Sequence, residues 1–265
     1  MRMLMGMIGV AAAVYLIACA ALFFSQRSLI YFPQPRHASG AATVVKLQVQ
    51  GAELDVTARV LAGPDAVIYL GGNAEDVAAS LPTLAEVYPA HALYLLHYRG
   101  YAGSTGKPSE AALFADALAL FDKVRAEHPN VTLIGRSLGS GVATHVASLR
   151  PAQALVLVTP YDSIAAIAAQ QFPVFPIRLL LRDKFESWRY APGVTAPTRI
   201  IMAEHDEVIP RASSELLLTR FKPGVAERVL IKGAGHNTVS ENAAYALLLR
   251  IPRREASDDE PRSTR

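Results

Sequence analysis

The hydrophobic pattern starts with a long segment that carries no charge. Twenty-two uncharged residues run from Met3 to Phe24, and Arg2 and Arg27 flank them. At about 1.5 Å per residue, a helix of this length covers the ~30 Å hydrocarbon core of a bilayer. The pattern therefore predicts an N-terminal transmembrane anchor over residues 1–27.

Two other processing fates fit the same segment. A charged start followed by an apolar run is also typical of a cleaved signal peptide. The letters LIAC, ending at Cys19, resemble the lipobox of bacterial lipoproteins, in which the cysteine is acylated and becomes the new N-terminus. The apolar run continues through ALFF, where lipoproteins usually turn polar, so an uncleaved anchor is the favoured prediction.

The flanking charges give opposing signals about the orientation of this anchor. Arg2 favours a cytoplasmic N-terminus with the domain outside, whereas Arg27 and Arg36 favour the reverse. We expect the domain to lie on the periplasmic or extracytoplasmic face.

Beyond the anchor, short apolar runs alternate with helical stretches, which is the pattern of a mostly parallel sheet covered on both faces. Two opening runs, VVKLQVQ and LDVTARVL, predict an antiparallel pair. Six later runs predict further strands: AVIYLGG, ALYLLHYRG, VTLIG, ALVLVTP, RIIMAEHD and RVLIKGAGH. Helices are predicted around Val77–Val87, Ser109–His128, Ser137–Arg150 and Ala212–Phe221. The prediction is an α/β domain over residues 28–252.

Two segments depart from this alternation of predicted strands and helices. Residues 161–197 are too many for a single crossover helix and include Phe172, Phe175 and Trp188. They predict either extra surface helices or a short cap over the strand ends, and the cap is favoured. Residues 253–265 mix both charges with Pro and Ser and lack an apolar period, so a disordered tail is predicted there.

Composition narrows the function classes. The chain is 51% hydrophobic, with a formal charge of +3 and a pI near 9.0. Its basic residues are scattered and form no stripe with aromatics, so no nucleic-acid partner is expected. The sole cysteine, Cys19, leaves no intramolecular disulfide. The seven histidines form no H-E-x-x-H pattern and no nucleotide-binding glycine loop is present, so neither a metal nor a cofactor is expected.

Candidate chemistry lies at the predicted strand ends, where open parallel sheets bind their ligands. The segments LIGRSLG, IIMAEHDEVIP and VLIKGAGHN supply Ser137, Asp206 and His236. Ser137 stands in a G-x-S-x-G pattern between a strand and a helix, and the order Ser, Asp, His is that of α/β-hydrolases. Ser137 could instead be a helix N-cap, and Glu204 and Glu207 are alternative acids.

Together these segments resemble the α/β-hydrolases, specifically the Bem46-type group that includes the ABHD13-like and ABHD17-like serine hydrolases. The resemblance covers residues 28–251 and rests on LIYFPQP, YLGGNAED, YRGYAGSTGKPSE, GRSLGSG, HDEVIP and GAGHN, in this order. It implies that Ser137 is the nucleophile, that His236 is the general base, and that Asp206 orients the imidazole.

The resemblance also implies an oxyanion hole made of two backbone N–H groups. One belongs to Leu138, directly after the nucleophile, and the other to Asn73 in the GGNA loop. Relatives commonly have His-Gly where this chain has GG, and a shifted turn would bring in Gly72 or Ala74 instead. Arg99, in YRGYAGSTG, is expected to hold its loop in place rather than to contact substrate.

The expected function is a membrane-anchored serine hydrolase that cleaves carboxylic esters or thioesters through an acyl-enzyme. Its expected substrates are acylated small molecules, lipids or lipidated proteins. A peptidase or acyltransferase with the same triad, or a non-catalytic membrane-tethered binding protein of the same fold, are the alternatives. Since no candidate catalytic residue lies in the anchor, a protein lacking residues through Gln26 is expected to hydrolyse small esters.

Overall fold

The structure is a computed structural model that describes residues 1–36 and 43–250. The tail predicted over residues 253–265 lies outside the described residues. The first element is a long helix, α1 (Arg2–Ile30), and a sheet with helices on both sides follows it.

The strands and helices after α1 form a single α/β arrangement. In chain order they are β1 (Thr43–Val49), β2 (Ala52–Arg59), β3 (Asp65–Leu70), α2 (Leu81–Val87), β4 (Ala92–Leu96), α3 (Glu110–Glu127), β5 (Asn130–Arg136), α4 (Leu138–Leu149), β6 (Ala154–Val158), α5 (Ile164–Gln171), α6 (Ile177–Leu180), α7 (Ser187–Tyr190), β7 (Thr198–His205), α8 (Arg211–Leu218), β8 (Ala226–Gly235) and α9 (Tyr245–Leu248). Within the described ranges, eight strands form one sheet in the order β1-β2-β4-β3-β5-β6-β7-β8. The first two strands pair antiparallel, and β3 to β8 run parallel.

The predicted fold class is confirmed, and each predicted strand and helix is present. The central strands were recognisable because both of their faces are covered, which makes them continuous apolar runs rather than alternating ones. All five residues of β4 and all five of β6 are buried.

Alternate side chains of each central strand enter different halves of the core. In β3, Ile68 and Leu70 face the side that holds Phe121 of α3. Val67 and Tyr69 of the same strand pack into the opposite cluster. A sheet packed on both faces holds the carboxyl ends of its strands in fixed positions, and the candidate residues lie at those ends.

The β6–β7 segment, residues 159–197, contains three short helices, α5 to α7. It is attached to the domain through buried groups. The Asp162 N–H donates to the Ser213 hydroxyl over 3.0 Å, and the Tyr161 hydroxyl donates to the Leu138 carbonyl over 3.0 Å. The second bond ties this segment directly to the residue after Ser137.

Helix α1 is the one helix in the described part of the chain that is long and apolar enough to cross a membrane. Its second half packs on the β6–β7 segment. The Tyr15 hydroxyl donates to the Val174 carbonyl over 2.9 Å. The buried Gln26 amide donates to the Leu180 carbonyl over 3.1 Å and accepts the Arg182 N–H over 2.6 Å.

A buried carboxylate fixes the end of α1. Arg27 donates two hydrogen bonds to Asp183, at 2.9 and 3.3 Å. The Tyr31 hydroxyl donates to the same carboxylate over 3.1 Å, and burial raises the pKa of that hydroxyl, which keeps it protonated. The end of the helix is thereby held against the domain by charged and neutral donors on one acceptor.

Candidate active site

Ser137 lies in a sharp turn between β5 and α4. Its backbone has φ 48° and ψ −117°, in the left-handed region that non-glycine residues rarely occupy. A Cβ at Gly139 would overlap the carbonyl oxygen of Leu70, and one at Gly135 would press on the backbone of Gly139. The glycines on both sides of the serine therefore provide clearance that the turn requires.

The three residues predicted as a triad lie in one hydrogen-bonded chain. Ser137 Oγ is 2.9 Å from His236 Nε2. His236 Nδ1 is 2.9 Å and 3.0 Å from the two carboxylate oxygens of Asp206. Ser137 occupies the N-cap position of α4, but its hydroxyl makes no capping bond and is directed at the histidine instead. This arrangement can transfer a proton from the serine while the carboxylate stabilises the charged imidazole.

The three neighbouring carboxylates have different partners. Asp206 Oδ1 accepts the backbone N–H groups two and three residues further on, over 3.0 and 2.7 Å, and this fixes its orientation toward His236. Glu204 accepts the Gly233 N–H over 2.8 Å, and Glu207 accepts the backbone N–H of His236 over 3.0 Å. That N–H lowers the pKa of the Glu207 carboxyl. Both glutamates support backbone at the end of β8.

The GGNA loop after β3 lies beside the serine. The Gly72 N–H donates to Glu75 over 2.6 Å, and the Ala74 N–H donates to the Asn73 side chain over 3.1 Å. Within the described ranges, the N–H groups of Asn73 and Leu138 donate to no protein group. Both residues line the same pocket as Ser137. The sequence offered the N–H groups of Gly72, Asn73 and Ala74 as loop donors. Among the described residues, the Asn73 N–H is the one of these three that has no protein acceptor and can bind an oxyanion.

The side chain of Asn73 fixes this loop from three directions. Its amide nitrogen donates to the Ile30 carbonyl at the end of α1. Its Oδ1 accepts the Tyr101 hydroxyl over 2.8 Å and the Phe32 N–H over 3.0 Å. Tyr98 adds a fourth bond by donating to the carbonyl two residues before Asn73, over 2.9 Å. Sequence reasoning missed these tyrosines, although they flank Arg99 in the quoted YRGY motif.

Two ion pairs hold the loops around the site. Arg99 donates two hydrogen bonds of 2.7 Å to the buried Asp116, and this ion pair supports the structural role expected for this arginine. Arg136, next to Ser137, lies 3.2 Å from Glu75, the carboxylate that accepts the Gly72 N–H. The second pair connects the loop after β3 to the end of β5.

A cavity of about 320 Å³ extends from Ser137. The domain contributes Leu138 and Ile209 to its lining, the β6–β7 segment contributes Ile164 and Ala168, and α1 contributes Leu22. No charged side chain is present among the described residues that line it. An apolar group attached to a reactive carbonyl fits this combination of an apolar wall and a candidate nucleophile.

No protein-family model matches the chain. An uncharacterized protein of Mycobacterium tuberculosis, Rv2307c, is 32% identical over 248 residues, which cover 86% of this chain and 87% of that protein. The alpha/beta hydrolase domain-containing protein aho-3 of Caenorhabditis elegans is 36% identical over 157 residues, or 58% of this chain and 46% of that protein.

Solved structures share the fold at low sequence identity. The esterase Pf2001 of Pyrococcus furiosus superposes with a TM-score of 0.65 and 17% identity, over 79% of this chain and 93% of the esterase. The chain therefore belongs to the α/β-hydrolase superfamily and has ABHD-type relatives.

Proposed function

We propose that the protein is a membrane-anchored serine hydrolase that cleaves carboxylic ester or thioester bonds through an acyl-enzyme. The observation that carries this proposal is the hydrogen-bonded chain Ser137–His236–Asp206 at one end of an apolar cavity. Nucleophile, base and orienting acid are within hydrogen-bond reach of one another, as acyl transfer requires.

The proposed reaction has two halves. Ser137 Oγ attacks the substrate carbonyl carbon and its proton passes to His236 Nε2, while the N–H groups of Asn73 and Leu138 stabilise the carbonyl oxygen as an oxyanion. Collapse of this intermediate breaks the bond to the alcohol or thiol, which takes the proton from His236. Water then attacks the acyl-serine, gives a proton to His236 and releases the carboxylic acid, and Ser137 regains its proton.

The cavity favours an acyl substrate over a peptide. A peptidase that recognises a terminus or a charged side chain needs a fixed counter-charge, and the described lining has none. The same wall suits a hydrocarbon chain, since burial of each methylene in an apolar site is favourable. The name of the esterase Pf2001 supports ester chemistry on this fold. Acylated small molecules, lipids and lipidated proteins are the proposed substrate class.

The contacts of α1 support an anchor that stays attached to the domain. Gln26 and Arg27 bond to the β6–β7 segment, and those bonds would be lost if the helix were cleaved off. We accordingly retain the division into an anchor over residues 1–27, a hydrolase domain over residues 28–252 and a cap over residues 161–197. The extracytoplasmic face stays the proposed location of the domain.

Hydrolysis by the full-length protein in detergent micelles tests this function. We expect turnover of p-nitrophenyl butanoate and of a butanoyl thioester by the wild-type protein. Ser137→Ala should lower kcat by about 10⁴-fold, the scale for loss of a triad member. Ser148→Ala is the matched control on the same helix, because its hydroxyl only bonds the His145 carbonyl. Equal activity of Ser137→Ala and wild type would contradict the proposal.

A further inference from the structure

One face of α1 is committed to the domain. Tyr15, Cys19, Leu22, Gln26 and Ile30 recur every three or four residues, which places them on one side of a helix. Cys19 is 8% exposed and Gln26 is 6% exposed, whereas residues 1–17 are all exposed. The helix thus has a free first half and a second half that packs along the protein.

The packed half forms part of the catalytic cavity. Leu22, Gln26, Leu29 and Ile30 line the same cavity as Ser137. The Gln26 amide is occupied by the Phe23 and Leu180 carbonyls and the Arg182 N–H. Because its polar end is satisfied elsewhere, Gln26 adds no free hydrogen-bonding group to an otherwise apolar wall.

The length of the free half determines how deep in a bilayer α1 would contact the β6–β7 segment. From Arg2 to Val14 the helix is roughly 20 Å long, which is less than the ~30 Å of a hydrocarbon core. A bilayer crossed by α1 therefore extends past Tyr15. At Tyr15 the helix already contacts Val174 and stacks on Phe175, with ring centroids 5.9 Å apart. The neighbouring part of the β6–β7 segment then lies within the depth of the membrane.

The surface of that segment suits such a position. Phe172, Val174 and Leu179 are 48%, 69% and 85% exposed, and Phe172 also lines the cavity. Exposed apolar side chains grouped beside an apolar helix are typical of a surface that contacts lipid. The cavity lining thus extends from Ser137 to residues at this surface.

We propose that the second half of α1 is one wall of an acyl-chain binding site, and that the acyl chain of a substrate reaches Ser137 from the hydrocarbon of the bilayer. This inference rests on the proposed hydrolase function and adds to it the element that selects chain length. Leu22 and Leu29 are the specificity-determining side chains on the helix, and the β6–β7 segment forms the opposite wall. A protein truncated through Gln26 would lack part of this wall, so its preference for long chains should be lost.

The ratio of kcat/KM for dodecanoyl to butanoyl p-nitrophenyl esters tests the wall in full-length protein held in lipid nanodiscs. Each methylene that enters the cavity should raise kcat/KM by up to about fourfold. Leu22→Trp fills part of the cavity and should lower the ratio by at least about tenfold. Leu16→Trp is the matched control, because Leu16 is 66% exposed and is not among the described residues that line the cavity, and its ratio should match that of wild type.

Leu29→Trp provides a second variant in case Leu22→Trp does not fold, and labelling of Ser137 by a small fluorophosphonate shows which variants fold. An unchanged ratio in either labelled variant would overturn the wall assignment. So would an equal fall in Leu16→Trp, because the effect would then come from the membrane. A wild-type protein that hydrolyses neither ester would refute the proposed function itself, and the two failures are therefore distinguishable.

A direct measurement uses a fluorophosphonate with a long alkyl chain and a terminal diazirine, reacted with the nanodisc-held protein and then irradiated. We expect cross-links from Ser137 to the tryptic peptide of residues 3–27 or to that of residues 28–36. Cross-links confined to the rest of the chain would overturn the proposed wall.

Discussion

At the scale of single residues, the site depends on backbone donors that fix the orientation of acidic side chains. Asp206 accepts two N–H groups of its own loop, at 3.0 and 2.7 Å, and has its other contacts with His236. Glu204 and Glu207 each accept an N–H near the end of β8. Three carboxylates within four positions thus have distinct tasks, which their backbone partners determine.

This division of tasks predicts different effects of three amide substitutions. Asp206→Asn should lower kcat by about 10⁴-fold, because an amide cannot stabilise the charged imidazole or select its tautomer. Glu204→Gln is the matched control and should stay within about threefold of wild type, since its amide oxygen can still accept the Gly233 N–H. Glu207→Gln should have a similarly small effect. Steady-state kinetics at alkaline pH compare the three, and a collapse of Glu204→Gln with normal turnover in Asp206→Asn would reassign the acid.

At the scale of elements, the end of α1, the YRGY loop and the GGNA loop are fastened together through one side chain. Asn73 bonds to Ile30, Phe32 and Tyr101, which belong to two different stretches of chain. The proposed oxyanion donor next to this side chain is a backbone N–H, so its position depends on that fastening. The second half of α1 therefore supports the proposed oxyanion loop as well as lining the cavity.

Replacement of the Asn73 side chain should affect the position of the proposed oxyanion donor more than it affects substrate binding. Asn73→Ala keeps the backbone N–H but loses all four side-chain bonds, to Ile30, Phe32, Tyr101 and Ala74, and we expect kcat to fall by about 10- to 100-fold with a smaller change in KM. Removal of a whole oxyanion donor costs about 10²- to 10³-fold, so a displaced donor should cost less. Asn242→Ala, which loses only a bond to the Ala244 N–H, is the control. A normal kcat for Asn73→Ala would show that the loop is fixed without this side chain.

At the scale of the whole molecule, the sequence predicts strands and local turns, but it does not predict the contacts that join distant segments of the chain. The strands were predictable because fully covered strands such as β4 and β6 are short apolar runs. Ser137 was predictable because its turn needs Gly135 and Gly139. The contact between Gln26 and Leu180 joins residues 154 positions apart, and no local pattern encodes such a pairing. The one sequence feature that hinted at this contact was the polar residue Gln26 just beyond the apolar run.

Stability should depend on pH through His97. This side chain is 2% exposed, and its Nε2 lies 2.8 Å from the Thr57 hydroxyl. Burial first, and then the charge of Arg36, lower the pKa of His97 from 6.5 to about 4. As pH falls below about 6.5 the unfolded chain takes up a proton that the folded one refuses, so stability decreases until about pH 4, by about 3 kcal/mol in all.

The variant His97→Gln isolates this effect. It should be less stable than wild type at pH 7.5, where the neutral histidine fits its site, but should lose less further stability between pH 6.5 and pH 4.5. Thermal unfolding in one detergent across this range measures the difference. Parallel pH profiles of the two proteins would exclude His97 as the group responsible.

The most direct measurement of the central claim is the covalent adduct formed by a fluorophosphonate with the full-length protein. An activated serine should give one adduct per chain, located on Ser137 by fragmentation of the tryptic peptide Ser137–Arg178, which includes Arg150 because trypsin does not cleave before Pro151. His236→Ala should slow its formation by several orders of magnitude, because the base that removes the serine proton is gone. An adduct on another residue, or labelling of Ser137→Ala at the wild-type rate, would contradict the assignment of Ser137 as the nucleophile.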